Sequence, residues 1–352
     1  MKSLPALMLI CAALACAGTA RTGMAATPKS CAAFGTLKFV CGPEAAEDLL
    51  RVGNSPWLIG SGLAEGTASG HLVLINSRDK TYANVYPASD AATPDAKRFP
   101  QCHTPPDAAK FSAHGLALRA LSGGHQELLV VNHGGREAIE FFEVRTGSGK
   151  PAIKWNGCVA IPGDVYVNSL VALHDGGFIA SHFYSPGKGG INAVFARQVT
   201  GGLLEWHPGK AVTLIPGTEL SGANGIALSK DEKVMHVAAW GTRELVRFVR
   251  HGNAVTKRVV PLNFAADNLR WSQDGRSILA AGQKFVAREG GPAGLDGWTV
   301  LRVNPDTLAT TVLFDTDAKA PLQGVSSAVE VGDQIWVGTF RGDRVGYFPL
   351  PH

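Results

Sequence analysis

Charged residues are scarce in this sequence: Asp, Glu, Lys and Arg together make up 18% of the 352 residues. Charge runs, heptads and low-complexity stretches are absent, and no 3.6-residue hydrophobic period is sustained, which argues against a helical or fibrous protein. The formal net charge of +4 is too weak to indicate a nucleic-acid partner or an anionic membrane surface.

Hydrophobic segments of membrane length are also absent beyond the N-terminus. Residues 1–26 contain Lys2, an apolar run over 4–17 and then small residues, a pattern typical of a cleavable secretory signal peptide. We therefore predict a periplasmic or secreted protein, without stable membrane insertion, whose single domain covers 27–352. Three cleavage points fit the pattern equally well: after Ala20, Ala25 or Ala26.

Short apolar runs alternate with Gly, Pro, Asp and Asn along the rest of the chain, and Gly is abundant at 42 residues. This pattern predicts strands joined by tight turns, and so an all-β protein. The clearest predicted strands are Gln126–Asn132, Glu137–Arg145, Lys233–Ala239, Trp298–Val303 and Gln334–Gly338.

A unit recurs along the chain: an apolar strand with a polar residue at its start, a turn, and further strands. The units begin near Glu47, His114, Asn168, Asn224, Asn268 and Ser327. Their spacing of roughly 45 to 65 residues suits blades of four strands. We predict a six-bladed β-propeller with four-stranded blades.

Few cysteines are present, and Cys11 and Cys16 fall in the predicted leader. The remaining four are Cys31, Cys41, Cys102 and Cys158. An even number in an oxidising compartment predicts two disulfides. Of the three possible pairings we favour Cys31–Cys41 as a local link and Cys102–Cys158 as a bridge between blades, with buried free thiols as the alternative. Lipid anchoring at Cys16 is not expected, because Ala stands where a lipoprotein signal usually has Leu.

The polar residue at the start of each unit indicates a metal site in the central channel. The first strand of every propeller blade lines the channel, so these side chains would converge on its axis. The oxygen-bearing members are Glu47, Asn168, Asn224, Asp267 and Asn268. Carboxylate and amide oxygens suit a hard cation, and two carboxylates balance one divalent ion. Any one of them alone would more often serve a turn, so the prediction depends on the repetition.

Two histidines could act beside that cation. His114 opens one unit, and His133 ends the next strand, so both could reach the same mouth of the channel. One neutral histidine can take a proton from water while a second orients or relays it, and a metal ion would polarise an ester carbonyl. The alternative, two structural histidines, stays open. The sequence lacks a Gly-x-Ser-x-Gly elbow, a phosphate loop, a dinucleotide fingerprint and zinc-spaced Cys/His clusters.

Taken in order, these motifs resemble the paraoxonase/arylesterase family. The ordered set is Ala46–Leu49, Ala113–Gly115, Val130–His133, Val167-Asn168, Ala223–Ile226, Asp267-Asn268 and Ile335–Leu350. Paraoxonases are six-bladed propellers with calcium in the channel, and they hydrolyse lactones and, more broadly, aryl esters. The resemblance therefore implies a calcium-dependent hydrolase of small-molecule lactones or esters.

The resemblance also implies a role for each matching residue. Glu47, Asn168, Asn224, Asp267 and Asn268 would ligate the catalytic calcium, and His114 and His133 would form a water-activating dyad. Asp48 and the Leu116 carbonyl would contribute to a second, structural calcium. However, Ser169 stands where the family has an aspartate for that second ion, which weakens this prediction. The family's disulfide between the chain ends cannot form either, because residues 347–352 contain no cysteine.

Two other functions fit the same fold. One is a sugar lactonase of the gluconolactonase type, and the other is a non-catalytic binding or scaffold propeller with a structural metal. Substrate preference would be set by loops at the channel mouth, for which we predict Ser185–Gly190 and Ala287–Asp296.

Overall fold

The computed structural model describes residues 31–351 apart from 65–68, 88–92, 148, 253, 289–290 and 318–319. For residues 287–288 and 291–293 it describes the backbone only. The predicted signal peptide and Cys16 lie outside the described residues. Within the described part, no helix has the length and hydropathy needed to cross a membrane.

The described chain forms six four-stranded antiparallel sheets, which confirms the predicted all-β propeller of six blades. It begins with β1 (Lys38–Cys41). The first blade contains β2 (Ala46–Arg51), β3 (Trp57–Gly62), β4 (His71–Asn76) and β5 (Thr81–Tyr86). The second contains β6 (Ala113–Ala120), β7 (Gln126–Asn132), β8 (Ala138–Arg145) and β9 (Ala152–Ala160).

The remaining blades follow in chain order. The third contains β10 (Tyr166–Ala172), β11 (Phe178–Tyr184), α1 (Gly190–Phe195), β12 (Leu203–Trp206) and β13 (Thr213–Leu214). The fourth contains β14 (Ala223–Leu228), β15 (Val234–Ala239), β16 (Glu244–His251) and β17 (Ala254–Pro261). The fifth contains β18 (Ala265–Trp271), β19 (Ile278–Arg288), β20 (Gly291–Val303) and β21 (Thr310–Thr316). The sixth contains β22 (Val325–Val331), β23 (Gln334–Thr339) and β24 (Arg344–Pro349). Short 3₁₀ turns occupy Ser122–Gly124 and Pro186–Lys188.

The two ends of the chain close the ring. β1 pairs antiparallel with β24, with Lys38 opposite Tyr347 and Cys41 opposite Arg344, so an N-terminal strand completes the last blade. Around the ring, β2, β6, β10, β14, β18 and β22 are the innermost strands, and each lies beside the next. The polar residues that open the predicted repeat units therefore all lie on the strands that line the channel.

Most of the hydrophobic core lies between neighbouring blades. Leu49 and Ile75 of the first blade pack with Trp336 and Val345 of the sixth, so the closing interface is an apolar layer like the others. Trp298 of the fifth blade is fully buried against the sixth, and its indole N–H donates to the Leu322 carbonyl at 2.8 Å. Apolar surface buried between sheets supplies most of the driving force for this packing.

Two disulfides fasten the outer parts of the ring, and both pairings match the prediction. Cys31–Cys41 ties the segment before β1 to the closing strand. Cys102–Cys158 ties the loop before β6 to β9, the outermost strand of the same blade, rather than joining two blades.

The two disulfides should differ in their contribution to stability. The bridges span 56 and 10 residues, and a longer closed loop restricts the unfolded chain more. We expect the Cys102→Ser/Cys158→Ser variant to lose about 4 kcal/mol of unfolding free energy and the Cys31→Ser/Cys41→Ser variant about 3 kcal/mol. Denaturant unfolding of both variants against the oxidised parent measures this. If removing Cys31–Cys41 costs more unfolding free energy than removing Cys102–Cys158, the short bridge instead stabilises the folded state, by holding β1 in the last blade.

Candidate functional site

Each innermost strand is interrupted by a break in pairing register near its start. The breaks fall at Ala46/Leu49, Ala113/Leu116, Val167/Leu170, Ala223/Ile226, Ala266/Leu269 and Val325/Ser327. A β-bulge of this kind turns side chains away from the regular alternation and towards a site. The residues inside the breaks include all five predicted calcium ligands and His114. The polar residue that recurs at the start of each unit in the sequence therefore lies at a recurring β-bulge in the structure.

Glycine lets neighbouring bulges approach one another closely. A Cβ on Gly115 would collide with the Asn168 carbonyl, and one on Gly225 would collide with the Asp267 carbonyl. The residues directly before these glycines are His114 and Asn224. The His-Gly and Asn-Gly dipeptides thus bring adjacent inner strands together where the polar side chains lie.

All five predicted ligands have a buried oxygen that finds no hydrogen-bond partner among the described residues. The atoms are Glu47 Oε2, Asn168 Oδ1, Asn224 Oδ1, Asp267 Oδ1 and Asn268 Oδ1. An uncompensated buried oxygen costs free energy, and such groups are rare in folded proteins. Five of them at equivalent bulges fit the donor set of a hard cation.

In Glu47, Asp267 and Asn268 the opposite polar atom of the side chain is held by a hydrogen bond. Asn268 Nδ2 donates to Glu47 Oε1 at 2.8 Å, which leaves one oxygen of each group unpartnered among the described residues. Gln283 Nε2 donates to Asp267 Oδ2 at 2.7 Å, and its own Oε1 accepts from Trp240 Nε1 at 2.8 Å. These bonds fix which oxygen each of these three side chains presents.

The sixth blade contributes differently from the other five. The hydroxyls of Ser326 and Ser327 donate to the Glu47 carbonyl at 2.6 and 2.9 Å. This blade therefore positions Glu47.

Burial makes the carboxylates of the site unfavourable as bare anions. The pKa of Glu47 is raised well above its ordinary value by burial, with the charges of Asp267 and Asp48 adding to the effect. Burial likewise raises the pKa of Asp267 to about 7, against hydrogen bonds from Gln283 and Asn224 that lower it. Within the described residues no three His, Cys, Asp or Glu side chains form a metal-binding group, so a cation here would depend on the amide oxygens.

The structure brings the two predicted catalytic histidines into direct contact. His114 Nδ1 lies 2.8 Å from His133 Nε2, and His114 Nε2 lies 3.7 Å from Glu47 Oε2. His133 Nδ1 in turn lies 2.8 Å from Glu137 Oε2, and Glu137 Oε1 accepts from the Val167 amide at 2.7 Å. The dyad predicted from the sequence is thus a chain of three side chains that ends on a carboxylate.

The carboxylate sets the tautomers along this chain. An ionised Glu137 can only accept, so His133 carries its proton on Nδ1 and leaves Nε2 to accept from His114 Nδ1–H. His114 Nε2 then holds a free electron pair beside the oxygen cluster. Burial lowers the pKa of His114 well below its ordinary value, and the charge of His133 adds to this, so His114 is neutral near pH 7.

Sequence reasoning missed Glu137 and Gln283. Glu137 follows His133 by four positions across a turn, and this spacing was the one available signal. Gln283 lies on β19 among apolar residues, and a lone glutamine there gives no indication of its bond to Asp267.

An aromatic wall extends from the histidines. Tyr166 stacks on His133 with 3.9 Å between ring centroids, and Tyr184 stacks on Tyr166 at 4.6 Å. The contacts continue through Phe183, Trp240 and Phe285, and Phe195 of α1 adds an edge contact to Trp240. Phe195 is 51% exposed. The prediction of a mouth loop at Ala287–Asp296 is wrong for most of its length, because Ala287 and Arg288 end β19 and Gly291–Asp296 belong to β20; the side chains of 287–288 and 291–293 are not described.

The two groups predicted for a second calcium, Asp48 and the Leu116 carbonyl, lie together, but both are bonded to the guanidinium of Arg270. Ser169, the third position, has a buried hydroxyl oxygen without a hydrogen-bond partner in the described chain.

No protein-family model and no curated protein matches the chain. Among solved structures, a gluconolactonase of Xanthomonas campestris aligns with a TM-score of 0.55 at 14% identity, over 90% of this chain and 89% of that one. A luciferin-regenerating enzyme aligns with a TM-score of 0.54 at 15% identity, over 88% of this chain and 93% of that one. At these identities the likeness establishes the fold alone.

The raised pKa of Asp267 predicts how the stability of the chelated protein depends on pH. The folded state keeps a proton up to about pH 7, whereas the unfolded chain releases it near pH 4. The contribution of Asp267 to stability is therefore greatest at the acidic end of this window and falls as the pH rises, by up to about 1.4 kcal/mol per pH unit. Burial lowers the pKa of four histidines, which act in the opposite sense, so the effect of Asp267 is measured against a variant that keeps all four: His71, His114, His182 and His236.

The Asp267→Asn variant is the control, because it removes the titrating group. With chelator present, we expect the midpoint of thermal unfolding of the parent, taken relative to that of Asp267→Asn, to be lower at pH 8 than at pH 5. A difference between the two midpoints that is the same at both pH values would contradict the prediction.

Proposed function

We propose that this protein is a calcium-dependent hydrolase of lactones and related esters, of the paraoxonase/arylesterase type. The observation that carries the proposal is the set of five buried oxygens, unpartnered among the described residues, beside a chain of Glu137, His133 and His114. Oxygen ligands in this number suit calcium. Calcium bound there would polarise the ester carbonyl and stabilise the negative charge that develops on its oxygen.

The protein's own side chains would supply the proton transfers. His114 Nε2 takes a proton from the attacking water, and the Nδ1 proton of His114 passes to His133 Nε2. Glu137 stabilises the positive charge that then forms on His133. A neutral His114 is suited to this role because its electron pair is free near pH 7.

The aromatic wall favours an apolar substituent on the substrate. Its middle members Phe183 and Trp240 are buried, so an acyl chain or aryl group would contact the partly exposed rings of Tyr166 and Tyr184 while the ester group reaches the histidines. Solved structures of similar fold include a gluconolactonase, which supports lactone hydrolysis in general. Two disulfides are consistent with the proposed export to the periplasm or the medium.

The chemistry of the proposal is tested by chelation. Purified protein is assayed on alkyl-substituted δ-lactones, acyl-homoserine lactones, gluconolactone and phenyl acetate, with EDTA and after re-addition of calcium. We expect hydrolysis of the apolar lactones to fall at least about 100-fold in EDTA and to return with calcium. Preference for gluconolactone would favour the sugar-lactonase alternative. Metal-bound protein that turns over none of these substrates would favour a binding propeller and reject the hydrolase.

The role of Glu137 is tested by Glu137→Gln. The new amide donates to His133 Nδ1, which forces its proton to Nε2 and makes His114 Nδ1 the acceptor. His114 Nε2 then carries a proton and cannot accept one from water. We expect kcat to fall by about 100-fold or more while calcium content stays unchanged.

Glu143→Gln provides a matched control, because Glu143 lies on β8 of the same blade and also faces a histidine, His125, at 3.7 Å. This variant should keep the parent's kcat. If Glu137→Gln also keeps it with calcium bound, the three-residue chain is not the route of the proton.

A further inference from the structure

Arg270 places a fixed positive charge inside the channel. It lies on β18, two residues after Asn268, and is almost fully buried. Its guanidinium pairs with Asp48 and donates to the Leu116 carbonyl at 2.9 Å and to the Leu269 carbonyl at 3.1 Å. One side chain therefore joins the innermost strands of the first, second and fifth blades.

Both carboxylate oxygens of Asp48 accept hydrogen bonds. Its carboxylate is wholly buried, Oδ1 accepts from the Leu49 amide at 2.9 Å, and Oδ2 accepts from the Leu116 amide at 2.8 Å as well as from Arg270. An arginine remains charged at any pH the protein meets, and its planar group can donate to a carboxylate and to carbonyls at once. Two of the three groups that could bind a second cation, the Asp48 carboxylate and the Leu116 carbonyl, are therefore already used, and only the uncharged Ser169 hydroxyl is left.

The charge balance of the channel leads to the same conclusion. Three carboxylates are buried there, those of Glu47, Asp48 and Asp267, and Arg270 balances one of them. The two that remain match a single divalent ion. A second divalent ion would leave the buried cluster with excess positive charge, which is costly away from water.

We propose that Arg270 takes the place of a second metal ion, so that the channel holds at most one divalent cation. The number of one ion rests on the proposed function, but the exclusion of a second ion does not. Asp48 then acts as a structural carboxylate, and chelation removes the ion without disturbing the half of the channel held by Arg270.

The test is the number of ions per chain. Metal-free protein is equilibrated with calcium chloride, separated from free ion and analysed by native mass spectrometry and elemental analysis. We expect one calcium in the parent and one more in Ser169→Asp/Arg270→Ser, which removes the guanidinium and adds a carboxylate at the third position. Arg344→Ser is the matched control, because Arg344 on β24 is also buried but pairs with Asp343, the residue directly before that strand. It should bind as many ions as the parent.

Two calcium ions in the parent would overturn the proposal, and so would a folded double variant that gains no ion. No ion in the parent but one in the double variant would reject the proposed calcium site while supporting the role of Arg270. If circular dichroism shows that the double variant does not fold, Asp267→Asn locates any ion of the parent. Loss of the parent's ion in Asp267→Asn supports the proposal, and its retention overturns the proposal. A parent that binds no ion also excludes a second ion.

Discussion

The central constraint on this protein is the burial of three carboxylates in the central channel of the propeller. Water solvates an anion far better than a protein interior does, so Glu47, Asp48 and Asp267 each need a compensating partner. Asp48 has one in Arg270. Glu47 and Asp267 each accept a hydrogen bond from an amide side chain at one carboxylate oxygen. The other oxygen of each has no partner among the described residues. The proposed ion is the counterpart of this remaining charge.

The same local feature, a β-bulge near the start of the innermost strand, occurs in all six blades. An undisturbed strand would alternate its side chains between two faces, but a bulge near the start of each innermost strand turns one or two side chains towards the axis. The rest of each strand continues into the apolar layers between blades. Local irregularity at one end of the channel is therefore compatible with regular packing over the rest of the ring.

The sequence predicted those features that repeat or that are local in the chain. The strands, the blades they form and the polar residue at the start of each unit recur along the chain. The strand β7 begins and ends at the predicted residues, Gln126–Asn132. Both disulfide pairings were found, although Cys102–Cys158 lies within one blade. Arg270 could not be found in this way, because its partners are more than 150 positions away in the chain. A polar residue inside a strand gives no signal of which distant carboxylate it neutralises.

The two kinds of compensation suit two different tasks. The guanidinium of Arg270 is covalently attached and permanently charged, so it can hold three blades in place whatever the composition of the solvent. A metal ion can exchange and has open coordination positions, so it can bind a substrate oxygen, which the saturated Asp48 cluster cannot. A fixed charge two residues after Asn268 would keep the ring assembled while the proposed calcium site gains or loses its ion. This separation would let Asp48, one residue after Glu47, be structural while Glu47 serves the proposed chemistry.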